Sequence, residues 1–555
     1  MSGKKIVLAA SRTESNEREQ DCWIQMLYAT LPANIAHLFT DLGTLQNELQ
    51  PDGQARYVPN GLRVVESILL EHFPSEDIAV CYPDQLEQFL GDDTVVLGIH
   101  AHNPLGITFA TDVYAQFAGL QNEPLNATEW KKAIFHPAVQ RHKNHLKIIV
   151  GGPGAWQIQH GGKREDWGID CVVDGEAEGQ VLPLFQAAAR GEKLPQSVKG
   201  ASPRMEEIPV TRHRSTLGVV EITRGCGRGC QFCSVAVRSG RSLPLNNILL
   251  NVRANVADGA DTIMLTTEDL FLYDQGPRFT TNTDALVNLY RSVAAESGVR
   301  YVHQTHATIA PVVLQPSLIE ALSPYAVDKS RKRHPASTHS DQRYASVIIG
   351  LETGSVNLFK KYMPGKSYPF RPEQWPDVVL KGMEILNRNN WFPFCTWIIG
   401  LPGETDADTR ESLDLLHAMK GSKWCVVPTL FTPLEDTRLG THQAAKLPQL
   451  TELQWEFFFT CWRYNLDFFR HNRKWLMFYL GTPIYYFLLG RKMFGENIKY
   501  PLWRLAHVPE SFLRRRLYLN LDAPATRFTT PAEVPCAPRG STFGDLAQTA
   551  TQAGD

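Results

Sequence analysis

Apolar residues in this chain arrive in short bursts rich in Val and Ile, alternating with longer amphipathic stretches. Up to residue 204 the bursts are "KIVLAA" (5–10), "DIAVCYP" (77–83), "TVVLGIHAH" (94–102), "LKIIVGGPG" (146–154) and "IDCVVDGEAE" (169–178). Between the first two, "GLRVVESILLEHF" (61–73) is apolar at 62, 65, 68, 69 and 73, the spacing of one helix face. Strands alternating with helices predict a doubly wound, Rossmann-like α/β unit over 1–204. Ligands of such a sheet bind at the carboxyl ends of its strands.

A second alternating set follows. Its bursts are "LGVVEIT" (217–223), "ADTIMLTTEDLFLY" (260–273), "VRYVHQTHATIA" (299–310), "ASVIIGLETGS" (345–355), "WFPFCTWIIGLPGET" (391–405) and "KWCVVPTLFTPLEDT" (423–437). The spacing predicts a parallel sheet with right-handed crossovers over 205–442, with polar and glycine-rich strand ends. The pattern then changes. Residues 455–495 are dense in aromatics, and 470–516 carry ten Lys or Arg against two Asp or Glu. A helical region over 443–520 is expected, closing the open side of the second unit. It is also a candidate for peripheral membrane contact through 455–516 or for admitting a lipid-like substrate. Its longest uncharged run, Trp475–Gly490, holds Gly481 and Pro483 and is too short to span a bilayer. The Pro-, Ala- and Thr-rich stretch 521–555 has no periodicity and is expected to be a loose tail.

Composition narrows the possibilities. A net charge of −2 argues against nucleic acid as a general partner. Ten cysteines in 555 residues are too dilute for a disulfide scaffold, and the apolar run of "MSGKKIVLAASRTE" is too short for a signal peptide. Both features point to a reducing cytoplasm, where clustered thiols serve metals or catalysis. Seven cysteines are scattered. The other three stand together in "ITRGCGRGCQFCSVAV" (222–237), as Cys226, Cys230 and Cys233. A structural zinc would want a fourth ligand at short spacing, and none follows. A redox C-x-x-C pair would leave Cys226 unexplained. Three thiolates on a [4Fe–4S] cluster leave one iron open for an exchangeable ligand.

This loop, C-x3-C-x2-C with an aromatic before the third cysteine, resembles the cluster loop of the radical S-adenosylmethionine (SAM) enzymes. The resemblance implies a partial (β/α)6 barrel over roughly 210–440. It also implies a cluster held by Cys226, Cys230 and Cys233, with SAM on the open iron. The SAM contacts it implies are Phe232, Thr266 and Glu268, then Gly350, Glu352, Gly354 and Ser355 of "GLETGS", then Gly400, Leu401 and Pro402 of "GLPGET". Helix capping is the competing role for Thr267 or Asp269, and for Glu404, Thr405 and Asp406. An electron donor of flavodoxin or ferredoxin type is implied as partner.

The first unit resembles the cobalamin-binding domain that precedes the barrel in one large subclass. "YVPNGL" (57–62), "GIHAHNPLG" (98–106), "VGGPGAW" (150–156) and "VVDGEAE" (172–178) carry the likeness. The implied corrinoid contacts are Tyr57, Pro59, Asn60, Gly61 and Leu62, then His102, Asn103 and Pro104, then Gly151, Gly152, Pro153, Gly175 and Glu176. One departure stands out: no D-x-H-x-x-G occurs. His100 and His102 follow the third strand, not the first, so a cobalt without a histidine ligand is expected, with Tyr57 or Asn60 facing it. The resemblance implies SAM cleavage to a 5′-deoxyadenosyl radical and cobalamin-dependent methylation of an unactivated carbon on a small-molecule substrate. The alternative is a radical cyclisation or rearrangement without methyl transfer.

Overall fold

The computed structural model describes residues 3–17, 29–30, 33, 47–108, 111, 123–333, 342–434, 437–446 and 449–469. Five of the apolar bursts become β1 (Ile6–Ala9), β2 (Ile78–Cys81), β3 (Val96–His100), β4 (Lys147–Gly151) and β5 (Cys171–Gly175). They pair in parallel in the order β2–β1–β3–β4–β5, with β6 (Ser197–Gly200) at the edge. Side chains alternate between two buried layers, as a strand's period of two demands. Val7, Leu97, Ile99, Ile148 and Val150 pack on Trp130, whereas Ile6, Leu8, Val80 and Ile149 share the other layer with Leu62 and Phe185. Leu62 belongs to α1 (Asn60–Leu70) and Phe185 to α2 (Glu178–Ala189), which cover that face. The edge strand β6, "SVKG", has no apolar burst because none of its residues is fully buried.

The second sheet begins at β7 (Val219–Glu221). A short antiparallel pair, β8 (Thr223–Arg224) and β9 (Arg241–Ser242), closes the base of the three-cysteine loop. Next come β10 (Thr262–Thr266), β11 (Tyr301–Gln304), β12 (His306–Ala307), β13 (Ile348–Glu352), β14 (Phe394–Ile399) and β15 (Cys425–Leu430). β11 pairs through β10 to β7, and β12 pairs through β13 and β14 to β15, all in parallel. Thr305 joins the two sets, because its N–H donates to Leu265 O and its carbonyl accepts from Ile348 N. Six parallel stretches therefore lie side by side in chain order. The α/β character expected of both halves is present.

Two helices follow β13 and β14: α3 (Val356–Tyr362) and α4 (Asp406–Ala418). The last described element, α5 (Glu452–Phe469), packs on β15 and α4. Its Asn465 accepts from Val426 N and donates to Val426 O, occupying polar groups of an edge strand that would otherwise stay open. The basic stretch 470–516 and the tail lie outside the described residues. Among the described residues, no helix is long and apolar enough to cross a membrane.

Polar contacts join the two sheets. Glu17, in the segment after β1, pairs with Arg214 and accepts from Leu217 N at 2.6 Å. Arg63 of α1 donates to Arg214 O. Arg224 is ringed by Glu221 of β7 and by Glu176 and Glu178 at the end of β5.

Candidate active site

The cysteine loop leaves the hairpin through Gly225, Gly227 and Gly229, whose φ angles of 72°, 71° and 72° are left-handed. These three turns wrap a segment of fifteen residues (225–239) tightly without a Cβ penalty. The wrap is held by Cys226 N to Val235 O and Gly229 N to Ala236 O. Burial pushes the Cys233 thiol up to about 12 and the Cys226 thiol higher still, each aided by the Cys230 sulfur. Cys230 is also raised by burial, against the opposing pull of Lys366 and Arg228. As free thiols all three stay protonated, so ligation needs positive charge placed among them, which iron supplies.

Two buried cations already sit beside the loop. Arg228 bonds Asp269 and the carbonyls of Gly365 and Lys366, and its buried Nη2 has no hydrogen-bond partner among the described residues. Lys366 donates to Glu352 at 2.7 Å, both side chains about nine-tenths buried. Burial opposes the Lys366 charge, but the bonded Glu352 carboxylate outweighs it and holds the ammonium above its ordinary range. A three-thiol loop flanked by an orphaned guanidinium donor and a buried ammonium fits an anionic iron–sulfur group. Among the described residues no three ligand side chains close on a single ion. Thiols at the corners of a cluster stand further apart than the ligands of one ion.

The strand ends around this loop make mostly internal contacts. Glu352 has φ of 66° at an irregularity in the β13–β14 register, which turns its carboxylate onto Lys366 and Thr396. Gly350 makes room for that pair, since a Cβ there would fall 1.9 Å from Glu352 Oε1. Ser355 caps α3 by accepting from Leu358 N, and its hydroxyl donates to Asp408. Gly354 packs on α4, where a Cβ would meet Ser412 Cα at 2.6 Å. In "GLPGET", Glu404 accepts from the N–H groups of Gly400 and Leu401, and Pro402 O accepts from Tyr362. Thr405 forms a capping box with Asp408. Phe232 is buried in the core. Asp269 bonds Thr308 and Arg228 and caps no helix with its side chain. Glu268, two residues past Thr266 at the end of β10, is different. Burial, with Glu221 adding to it, pushes its carboxyl up to about 7 against the pull of Arg238.

Glu268 lines a cavity of about 350 Å³ between the two sheets. One wall carries Gly61 and Leu62 from the first turn of α1, with Gly151, Gly152, Pro153, Gly175 and Glu176 from the carboxyl ends of β4 and β5. The other carries Arg224, Gly225, Ser234 and Val235 of the cysteine loop. Gly152 has φ of 113°, and a Cβ there would meet Ala101 O at 2.8 Å. Of the expected corrinoid contacts, the other six lie off this wall. Pro59 is the N-cap residue of α1, Asn60 accepts from Ser215, and Tyr57 is buried under the Arg214 guanidinium. Asn103 is tied to Gln157 and Asn126, with Pro104 buried beside it, and His102 is exposed. Conversely, His100 and Trp156 do line the cavity. Lys366 and Arg228 had no local signal in the sequence, because their partners come from distant segments.

A parallel α/β fold with a three-thiol loop at its strand ends defines a class, and comparison with known proteins agrees. Residues 220–416 match the model of the Radical SAM superfamily, and this part of the chain is a radical SAM domain. The chain is 26% identical over 294 residues to tRNA-2-methylthio-N(6)-dimethylallyladenosine synthase of Ralstonia nicotianae, across 51% of this chain and 58% of that protein. The same-named protein of Stenotrophomonas maltophilia is 27% identical over 320 residues, across 55% of this chain and 62% of that protein. The chain thus spans about three fifths of the length of these relatives. Among solved structures it is similar to the radical SAM methyltransferase TsrM from Kitasatospora setae with cobalamin and a [4Fe–4S] cluster bound. That likeness has a TM-score of 0.51 at 13% identity over 79% of this chain and 74% of that one. TsrM with tryptophan substrate and a SAM analog gives 0.52 at 14%, over 79% and 75%. At such identity the likeness is one of fold.

Proposed function

We propose that this protein is a radical SAM enzyme that methylates an unactivated carbon with the help of a corrinoid. The observation that carries this proposal is the cavity shared by the carboxyl ends of the first sheet and the cysteine loop. Cys226, Cys230 and Cys233 would hold the cluster. Glu268 and Lys366 are the oppositely charged groups beside the loop, suited to the ammonium and carboxylate of the SAM methionine moiety. When bound, the cluster supplies the electron that cleaves SAM, and the corrinoid supplies a methyl carrier. Leu62, Trp156 and Phe185 give the cavity apolar surface for a flat macrocycle, and Gly61 leaves the side beside His100 without a Cβ in the way. The cobalamin in the structure of TsrM, a protein of similar fold, supports the same ligand here.

A second function is favoured by the relatives named tRNA-2-methylthio-N(6)-dimethylallyladenosine synthase, namely formation of a methylthiolated adenosine in tRNA. The net charge of −2 does not favour a tRNA partner. The two described cysteines of the first sheet, Cys81 and Cys171, are buried in strands and raised by burial. Anaerobic reconstitution with iron, sulfide and hydroxocobalamin separates the possibilities. Retained corrinoid with reductive formation of 5′-deoxyadenosine from SAM is expected. Retention of cluster without corrinoid, with methylthiolated nucleoside formed on tRNA, would overturn the methylation proposal.

A further inference from the structure

We infer that His100 is the nitrogen donor this cavity offers to the metal of its ligand, positioned by Glu14. This rests on the corrinoid proposal above and reverses the expectation of a histidine-free cobalt. In the strand order β2–β1–β3–β4–β5–β6, the succession changes direction between β1 and β3, which places the binding crevice there. His100 is the last residue of β3, and Glu14 lies in the segment that leaves β1. The two side chains meet across that switch point, His100 Nδ1 to Glu14 Oε2 at 2.8 Å, with 8% and 7% of their surface exposed. The other carboxylate oxygen accepts from His102 N at 3.0 Å, so Glu14 is anchored twice.

The arrangement decides which imidazole nitrogen is free. A carboxylate on Nδ1 favours the tautomer that carries the proton there, which leaves the Nε2 lone pair outward. Among the described residues Nε2 makes no hydrogen bond. The ring lines the cavity between two glycines. A Cβ on Gly61 would lie 3.8 Å from Nε2, and one on Gly152 would lie 3.2 Å from Cδ2. Trp130, fully buried, donates to His100 O at 2.8 Å and holds the strand end in place. An imidazole backed by a carboxylate on Nδ1 is the donor arrangement of a metal-ligating histidine. The D-x-H-x-x-G spacing is absent because here the acid and the imidazole come from two different strand ends.

The test uses full-length protein with its cluster, loaded with hydroxocobalamin and reduced to the cob(II) state. Electron paramagnetic resonance should show high-field lines split into triplets by one axial nitrogen. Growth on [15N]histidine should turn the triplets into doublets. His100→Gln should lose the splitting while keeping the corrinoid signal and the cluster. Glu14→Gln should keep the splitting and weaken retention of hydroxocobalamin by ~10- to 100-fold. Bound corrinoid with unsplit lines, or triplets indifferent to the histidine label (the cofactor's own base), would overturn this inference and leave the corrinoid proposal standing. Wild-type protein with intact cluster that retains no hydroxocobalamin would overturn both. The labelled wild type needs no variant, so a His100→Gln protein that fails to fold does not affect the outcome.

Discussion

Gly225 and Gly229 share one left-handed backbone conformation and differ only in what surrounds them. A Cβ on Gly229 would meet nothing within 4 Å, whereas one on Gly225 would sit 2.6 Å from Ser239 O and 2.8 Å from Arg238 O. Gly229→Ala should therefore cost only the backbone strain, about 1–2 kcal/mol, and keep the cluster. Gly225→Ala must push the 238–239 backbone away and should lower iron and sulfide per chain several-fold after reconstitution. Equal iron content in the two variants would contradict the contact argument. The thiols divide in the same way. Replacing Cys226, Cys230 and Cys233 together by Ala should abolish the cluster. Cys395→Ala, inside β14 and fully buried, should leave iron content unchanged.

At the scale of an element, the turn from β14 into α4 is built by its own side chains. Thr405 accepts from Asp408 N and Asp408 accepts from Thr405 N, a reciprocal cap. Thr405→Ala should lower stability by about 1 kcal/mol in urea unfolding. Glu404 adds a pH dependence. Burial pushes its carboxyl up to about 7 despite bonds from Thr409, Gly400 and Leu401. Between its unfolded value of 4.5 and about 7, the folded state binds the extra proton. Stability from this group is thus full below pH 4.5 and is lost as pH rises to about 7. Glu404→Gln should flatten that slope, so its stability relative to wild type improves from pH 5 to pH 8. A difference constant across this range would show that Glu404 titrates normally.

Across the whole molecule, Arg224 is the hub between the sheets. It bonds Glu176 at 2.8 Å, Glu178 at 2.7 Å and Glu221 at 2.7 Å, with about 15% of its side chain exposed. Arg224→Met leaves Glu178 and Glu221 without this partner and Glu176 with only Arg241 and Arg238, a loss on the order of 3–5 kcal/mol. Calorimetry should then resolve separate unfolding of the two halves, where the wild type should unfold in one coupled transition. The cavity beside this hub can be probed from α1. Gly152→Leu would clash with Ala101 backbone in any case, but Gly61 is in a helix and a side chain there projects beside His100. Gly61→Leu should fold with its cluster and exclude hydroxocobalamin, as read by absorbance after gel filtration.

The strands β1–β5 and the six stretches of the second sheet were legible in the sequence, because a buried parallel strand needs an apolar burst within its own few residues. The three-thiol loop was legible for a similar reason, since its spacing and glycines lie within one turn of chain. β6 was not, because an edge strand needs no apolar pattern. The allocation of polar groups was decided by the tertiary structure alone. The Ser355 hydroxyl, expected to face a ligand, goes to Asp408, 53 positions away, and Gly354 serves the packing of α4. Lys366 reaches Glu352 and the thiols only after β13 bends. Glu14 and His100, 86 positions apart, meet because parallel pairing sets the ends of β1 and β3 side by side. Local pattern determines which residues are buried. Which hydrogen bond a buried polar group makes depends on the neighbour that folding brings to it.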